Sequence, residues 1–197
     1  MNKLRIVLVL ACAVLLAGCL PVTTKTPVGT TAGLGADPAL FGTWVGHSED
    51  ASAKNPPPIY FHFMLGKDGT MTAAYLIATG TNDDEWLAFA LHTATLGGNR
   101  YIDALNTLDN GKPVEGDLKT LNIPLLYTLK GKTLTLYLLD EDKARAAVKS
   151  GAIAGTVGAG DSGDVVITAD AKALDAFMAK PETAKLFKVL IVLKRID

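Results

Sequence analysis

The stretch IPLLYTLKGKTLTLYLL, residues 123–139, decides the fold. In its second arm Leu134, Leu136 and Leu138 alternate with Thr133, Thr135 and Tyr137. A period of two places successive side chains on opposite faces of a strand. Leucine on one face and threonine or tyrosine on the other gives one buried face and one wet face, as antiparallel sheets have. Lys130-Gly131-Lys132 parts the two arms, and a glycine between alternating apolar runs marks a hairpin. The building unit is therefore an antiparallel strand pair, Ile123–Leu129 with Thr133–Leu139.

The same grammar runs upstream. Leu40–His47 reads as the first strand. Ile59–Leu65 follows Pro56-Pro57-Pro58, with Ile59, Phe61, Phe63 and Leu65 on one face and Tyr60, His62 and Met64 on the other. Gly66-Lys67-Asp68-Gly69 turns the chain back through Thr70–Ala78. The polar run Thr81–Glu85 leads into Trp86–Thr95, and Gly97-Gly98-Asn99 turns into Arg100–Leu105. Residues 106–120 read as a long polar loop.

Downstream, two helices interrupt the strands. Asp140 can cap Glu141–Ser150, with Glu141 and Asp142 in the first turn, Lys149 in the last and Gly151 beyond. Asp170 can cap Ala171–Lys180, where Leu174, Phe177 and Met178 form an apolar stripe ending before Pro181. Asp164–Ala169 is a strand between them, and Phe187–Ile196 closes the chain. The closing strand is apolar on both faces, which predicts cover on both, with the 171–180 helix on its outer side. Many antiparallel strands in one domain leave edges to be managed, and closure into a barrel removes them. The expectation is a mainly β domain over residues 39–197: a single antiparallel barrel of 8–10 strands with two short helices in its C-terminal half.

Gly42-Thr43-Trp44, at the start of the first strand, resembles the G-x-W motif of lipocalins. That resemblance implies a lipocalin-like barrel in which Trp44 plugs one end and Arg195, from the last strand, packs over it. The C-terminal order of strand, helix, G-x-x-x-G, strand, helix, strand is also similar to a group of uncharacterised proteobacterial lipoproteins, a resemblance that implies no activity.

The N-terminal residues carry an address. Met1–Arg5 holds Lys3 and Arg5 and no acid, and Ile6–Ala17 is almost wholly apolar. Spanning a bilayer takes roughly 20 residues at about 1.5 Å each, so this run is short for a transmembrane helix and has the order of a secretory signal. Leu16-Ala17-Gly18-Cys19 resembles the lipobox of bacterial lipoproteins. The resemblance implies cleavage between Gly18 and Cys19, a diacylglycerol on the Cys19 sulfur and acylation of the new amino group. Several acyl chains make a stable anchor where a single chain does not. Leu20, rather than an aspartate, follows the cysteine, which implies the outer membrane and its periplasmic face. Residues 1–18 are then a cleaved signal, and 19–38, rich in Thr, Gly and Pro, read as a lipidated flexible tether. The 18 residues from Pro21 to Pro38 would have a root-mean-square reach of about 25 Å.

Composition narrows the function classes. Without Lys3 and Arg5, 17 of the 19 basic residues remain against 20 acidic ones, a net charge of −3. There is no basic stripe, which disfavours nucleic acid as a partner. Cys12 leaves with the signal and lipid consumes Cys19, so no disulfide is expected and stability must come from packing.

No catalytic set assembles in the sequence. Residues 158–163, GAGDSG, match G-x-G-x-x-G, but a strand follows where dinucleotide binding requires a helix N-terminus, so a turn is expected. Gly160-Asp161-Ser162-Gly163 resembles the nucleophile motif of trypsin-like proteases, yet Asp164-Val165 follows in place of Gly-Pro. His47, His62 and His92 lack the spacing of a zinc site, and Asn82-Asp83-Asp84-Glu85 lacks the alternating ligands of a calcium loop. Nothing pairs Glu49, Asp50, Asp103 or Asp140 for acid–base work. No cofactor or metal is implied.

The inward faces remain. Phe61, Phe63, Tyr75, Phe89, Leu134 and Leu136, with Tyr137, either line a pocket for a small apolar ligand or lipid, or simply fill the core. Two functions follow. One is a membrane-anchored binder of a small apolar ligand. The other is an interaction module for an envelope protein, an assembly factor or an enzyme inhibitor, using the 106–120 loop and the 158–164 turn.

Overall fold

The computed structural model describes residues 21–47, 56–67, 69–79, 85–159 and 164–196. Eight strands form a closed antiparallel barrel: β2 (Gly42–His47), β3 (Pro58–Leu65), β4 (Met71–Ile77), β5 (Glu85–Leu96), β6 (Asn99–Asp109), β8 (Asn122–Lys130), β9 (Thr133–Leu139) and β12 (Phe187–Arg195). Each pairs with its neighbour in chain order, β6 pairs with β8, and β12 closes on β2 through Lys194 opposite Val45 and Arg195 opposite Trp44. Four short strands add to it. β7 (Lys112–Pro113) folds back on β6, and β1 (Thr23–Thr24), β10 (Gly155–Val157) and β11 (Val165–Ile167) extend from the edge of β8.

The 123–139 hairpin stands as read, with Leu129 opposite Leu134, Tyr127 opposite Leu136 and Leu125 opposite Leu138. Leu134, Leu136 and Tyr127 point into the barrel. The intervening Tyr137 points outward, where it packs against an outer cluster, so it is not a lining residue of the interior. The long loop expected at 106–120 is partly strand: β6 runs on to Asp109, Asn110-Gly111 turns it into β7, and a 3₁₀ turn covers 116–120. Asn110 takes the left-handed φ of 47° and Gly111 one of 80°, a pairing that suits a tight hairpin turn.

The tether expected over residues 19–38 is a correction, since the described part of it, 21–38, is built into the fold. Val22 and Val28 are buried in a core cluster, and Thr23 and Thr24 are buried as a strand lying parallel to β11. Gly29, at φ 92°, lets the chain pass so close to β5 that a Cβ there would stand 2.0 Å from the Ala94 Cβ. Gly35 then bridges Thr93 on the stretch of β5 that β4 leaves unpaired. The composition of a linker thus serves a strap: two valines anchor it, two threonines pair as strand, and glycines allow its turns and close approaches.

Two helices lie outside the barrel, α1 (Glu141–Lys149) and α2 (Ala171–Met178), capped by Asp140 and Asp170 as their sequences indicate. A 3₁₀ turn, Pro181–Leu186, follows α2. Leu174, Phe177 and Met178 of α2 pack with Tyr101, Leu126, Leu139 and Phe187, the outward residues of β6, β8 and β9 and the first residue of β12. The expected cover for β12 therefore falls mainly on its neighbours. Val189, Leu190 and Val192 remain exposed at 42, 42 and 38%. A β-bulge between Val189 and Ile191 turns Leu190 outward as well.

Candidate functional site

The barrel interior is asymmetric along its axis. At one end Asp37 caps the 3₁₀ turn Pro38–Leu40, its carboxylate accepting from the Ala39 N–H at 3.0 Å, and this turn lays Leu40 across the barrel. Trp44 is fully buried beneath, and its indole Nε1 donates to the Leu40 carbonyl at 2.7 Å. The Arg195 guanidinium lies 4.4 Å from the Trp44 ring, and its Nη2 donates to the carbonyls of Ala39 at 2.6 Å and Phe41 at 2.7 Å. Side chains thereby satisfy three backbone carbonyls, and the end is shut.

A second polar group completes the seal. Tyr127 donates its hydroxyl proton to Asp37 Oδ2 at 2.7 Å, and Arg100 pairs with the same oxygen while its guanidinium lies 4.6 Å from the Tyr127 ring centroid. Burial works against ionisation of Asp37, but the bonds from Tyr127 and Ala39 and the Arg100 charge outweigh it and hold the carboxyl below its usual range. Burial and the facing Asp37 carboxylate push the Tyr127 hydroxyl up. A shallow cleft of about 390 Å³ lies outside this seal, lined by Asp37, Thr93 and Arg100 among others. The Arg100 cation in it is already matched by the Asp37 carboxylate.

Inward from the seal the barrel is solid. Phe63, Met71, Leu91, Ile102, Leu134, Leu136, Ile191 and Leu193 are all buried in one cluster around Trp44. Phe63, Leu134 and Leu136, read as candidate pocket residues, are thus core. The other three of that set stand toward the opposite end. Phe61, Tyr75 and Phe89 occupy inward positions on β3, β4 and β5 and are only partly buried. Phe61 meets Tyr75 edge-on with centroids 5.0 Å apart and stacks on Phe63 at 5.8 Å with an interplanar angle of 11°. Ile77, Ile123 and Leu125, also partly buried, continue this apolar rim.

Two polar groups border the rim. Asn106 faces Phe89 across a β-bulge in the β5–β6 ladder, and its Oδ1 is buried with no hydrogen-bond partner among the described residues. A buried carbonyl left unpaired costs roughly 1–3 kcal/mol, which a donor arriving with a ligand would recover. Burial, together with the Glu85 carboxylate, pushes the Tyr75 hydroxyl up to about 12, so it stays a neutral donor at neutral pH. The arrangement is three partly buried rings beside the packed cluster, with one acceptor and one hydroxyl near them. Such a set offers apolar contact to a small group and a hydrogen bond to a polar end. Sequence reading missed Asn106 because it ended the strand at Leu105, whereas β6 runs on to Asp109 and keeps Asn106 in phase with the inward Ile102 and Ala104.

The remaining candidates lie elsewhere. His47, His62 and His92 sit on outward positions of three strands. Thr43 Oγ1 lies 2.9 Å from His62 Nδ1, and the Pro56 carbonyl 3.3 Å from His47 Nδ1. No group of three metal-ligating side chains occurs among the described residues. Asp140 caps α1 and meets Lys188 at 3.5 Å. Residues 1–20, which include Gly18 and Cys19, and 48–55, 80–84 and 160–163 lie outside the described residues. Asp103, by contrast, is 1% exposed beneath the strap, its carboxylate oxygens lack a side-chain hydrogen-bond partner among the described residues, and the Val28 backbone and the Asp175 charge act on it. Asp175 clamps the strap, accepting from the N–H groups of Gly29 at 2.6 Å and Thr31 at 2.7 Å and from the Thr31 hydroxyl at 2.5 Å.

No known protein family, curated protein or solved structure matches this chain.

Proposed function

We propose that the protein is a lipid-anchored component of the Gram-negative outer membrane, on its periplasmic face, that binds a small apolar ligand in the open cup of its barrel and performs no catalysis of its own. The observation that carries the binding reading is the partly buried trio Phe61, Tyr75 and Phe89 at inward positions opposite the sealed end. Apolar rings left partly wet inside a barrel whose other end is packed solid are what a shallow binding cup requires. The solid floor limits the ligand to something of ring or short-acyl size. Asn106 Oδ1 supplies an acceptor for a hydroxyl or amide on that ligand. The anchoring reading rests on the basic head, the short apolar run and Leu16-Ala17-Gly18-Cys19.

Organic extraction of the purified soluble chain from Leu20 onward, followed by mass spectrometry, tests the binding reading. A stoichiometric apolar compound is expected. A clean extract from a folded protein favours the second reading, a protein-docking module. The exposed Val189, Leu190 and Val192 on β12 support that alternative.

A further inference from the structure

We propose that the barrel is seated directly on the bilayer, through the corner where β1 meets the β10–β11 hairpin, with almost no slack between lipid and fold. The inference rests on the reading that Cys19 carries the lipid. Val22 is 1% exposed, and Thr23 and Thr24 are buried and paired with Val166 and Ile167. Lys25 continues the attachment, its N–H donating to the Ile167 carbonyl at 3.0 Å. Only Leu20 and Pro21 separate Cys19 from Val22. Three residue steps span at most about 11 Å even when fully extended. A free 21–38 segment would have allowed a reach of about 25 Å. That length is spent instead on the outside of the barrel, held by Asp175 on Gly29 and Thr31 and by the Gly35–Thr93 bridge.

The register identifies the face. β1 runs parallel to β11 with Thr23 opposite Val166, so stepping back two residues sets Pro21 level with Asp164. Asp164 closes the base of the β10–β11 turn, its carbonyl accepting from the Gly158 N–H at 2.8 Å. Thr156, Gly158 and Asp164 are exposed there, and Lys25 is exposed at the other end of β1, level with Thr168. A groove of about 510 Å³ lined by Lys25, Thr120, Leu121, Thr156, Val166 and Thr168 runs along the same small sheet toward its Lys25 end. Small side chains permit close approach. Lys25 and the threonine hydroxyls offer donors to lipid phosphates, and the Asp164 carboxylate limits the attraction to anionic lipid. The antipode is β3, four strands from β8 in either direction around the closed barrel.

The test uses the full chain, processed in the envelope of a Gram-negative host and reconstituted in phosphatidylethanolamine–phosphatidylglycerol vesicles bearing headgroup nitroxides. Beyond Cys12 and Cys19 the sequence has no cysteine, so Thr156→Cys and Met64→Cys each take one bimane label at an exposed site. The mass of the N-terminal peptide is read first. If Cys19 is unmodified, the anchoring reading falls and this inference falls with it. With acyl chains present, the label at 156 is expected to lose most of its fluorescence and the label at 64 to keep it. A Gly/Ser insertion of about 18 residues between Leu20 and Pro21, with a reach of about 25 Å, is expected to restore the signal at 156. Equal fluorescence at both sites on a lipidated chain would overturn the seating while leaving the anchor standing, as would an insertion that changes nothing.

Discussion

Replacing Asp103 with asparagine should stabilise the protein, increasingly so as the pH rises. Asp103 is 1% exposed, and its carboxylate oxygens lack a side-chain hydrogen-bond partner among the described residues. Burial first, then the Asp175 charge, push its carboxyl from 3.8 up to about 8, against an opposing contribution from the Val28 backbone. Its cross-strand neighbours are His92 and Pro124. Because the folded value lies above the unfolded one, the native state holds a proton that the unfolded chain releases between about pH 4 and pH 8. Stability therefore falls with rising pH across that window. The cost is absent below about pH 4 and complete above about pH 8. At pH 7 the unfolded carboxyl is about 3 pH units past its midpoint, and at 1.36 kcal/mol per unit the cost is about 4 kcal/mol. That is a large fraction of a typical domain stability of about 5–15 kcal/mol. An asparagine side chain mimics the neutral carboxyl in shape and has no proton to lose. Urea denaturation of wild type and Asp103→Asn at pH 4.5, 6, 7 and 8.5 reads the difference directly, and other titrating groups cancel in the comparison. The two midpoints should nearly coincide at the lowest pH and separate steadily upward. Parallel curves across the range would refute the reasoning.

Further outcomes follow from the strap and the seal. Asp175→Ala removes three charge-assisted hydrogen bonds to Gly29 and Thr31; a loss of about 3 kcal/mol is expected, with limited proteolysis cutting the strap before the barrel. Gly29→Ala forces a side chain into a φ of 92° and onto Ala94, so it should cost at least about 2 kcal/mol, and Ala94→Gly should rescue only the steric part. Trp44→Phe keeps an aromatic ring but loses the bond to the Leu40 carbonyl, costing about 1–3 kcal/mol by thermal denaturation, while Arg195→Ala also opens the end and should increase acrylamide quenching of Trp44.

Much of the barrel was legible because hydrophobic alternation and turn residues are local signals. Leu134–Thr135–Leu136 declares a half-buried strand whatever lies elsewhere, and Asp140 and Asp170 declare helix starts. The Trp44–Arg195 contact was suggested by a family resemblance rather than by any local rule. The strap was illegible for a physical reason. Thr, Gly and Pro are the residues of free linkers, and only long-range partners such as Asp175, Asn122 and Val166 convert residues 22–37 into structure. The cup was half visible: the aromatic residues were evident, but their division into floor and rim depends on which end Trp44 closes. Leu190 was hidden because a β-bulge resets the alternation beside it, and Asn106 because its strand runs on past the polar residues that read as a loop. Asp103, a lone acid in an apolar strand, was seen as an acid but not as a buried one, since its cover comes from the strap.

The most direct test of the binding account is an aromatic and methyl NMR titration of the soluble chain with small probes, benzyl alcohol and octanol, that combine an apolar body with a hydroxyl. The account predicts saturable shifts at Phe61, Tyr75 and Phe89 and at the Asn106 amide, with Trp44 unmoved. Shifts confined to Val189, Leu190 and Val192, or no saturable shift at all, would contradict it.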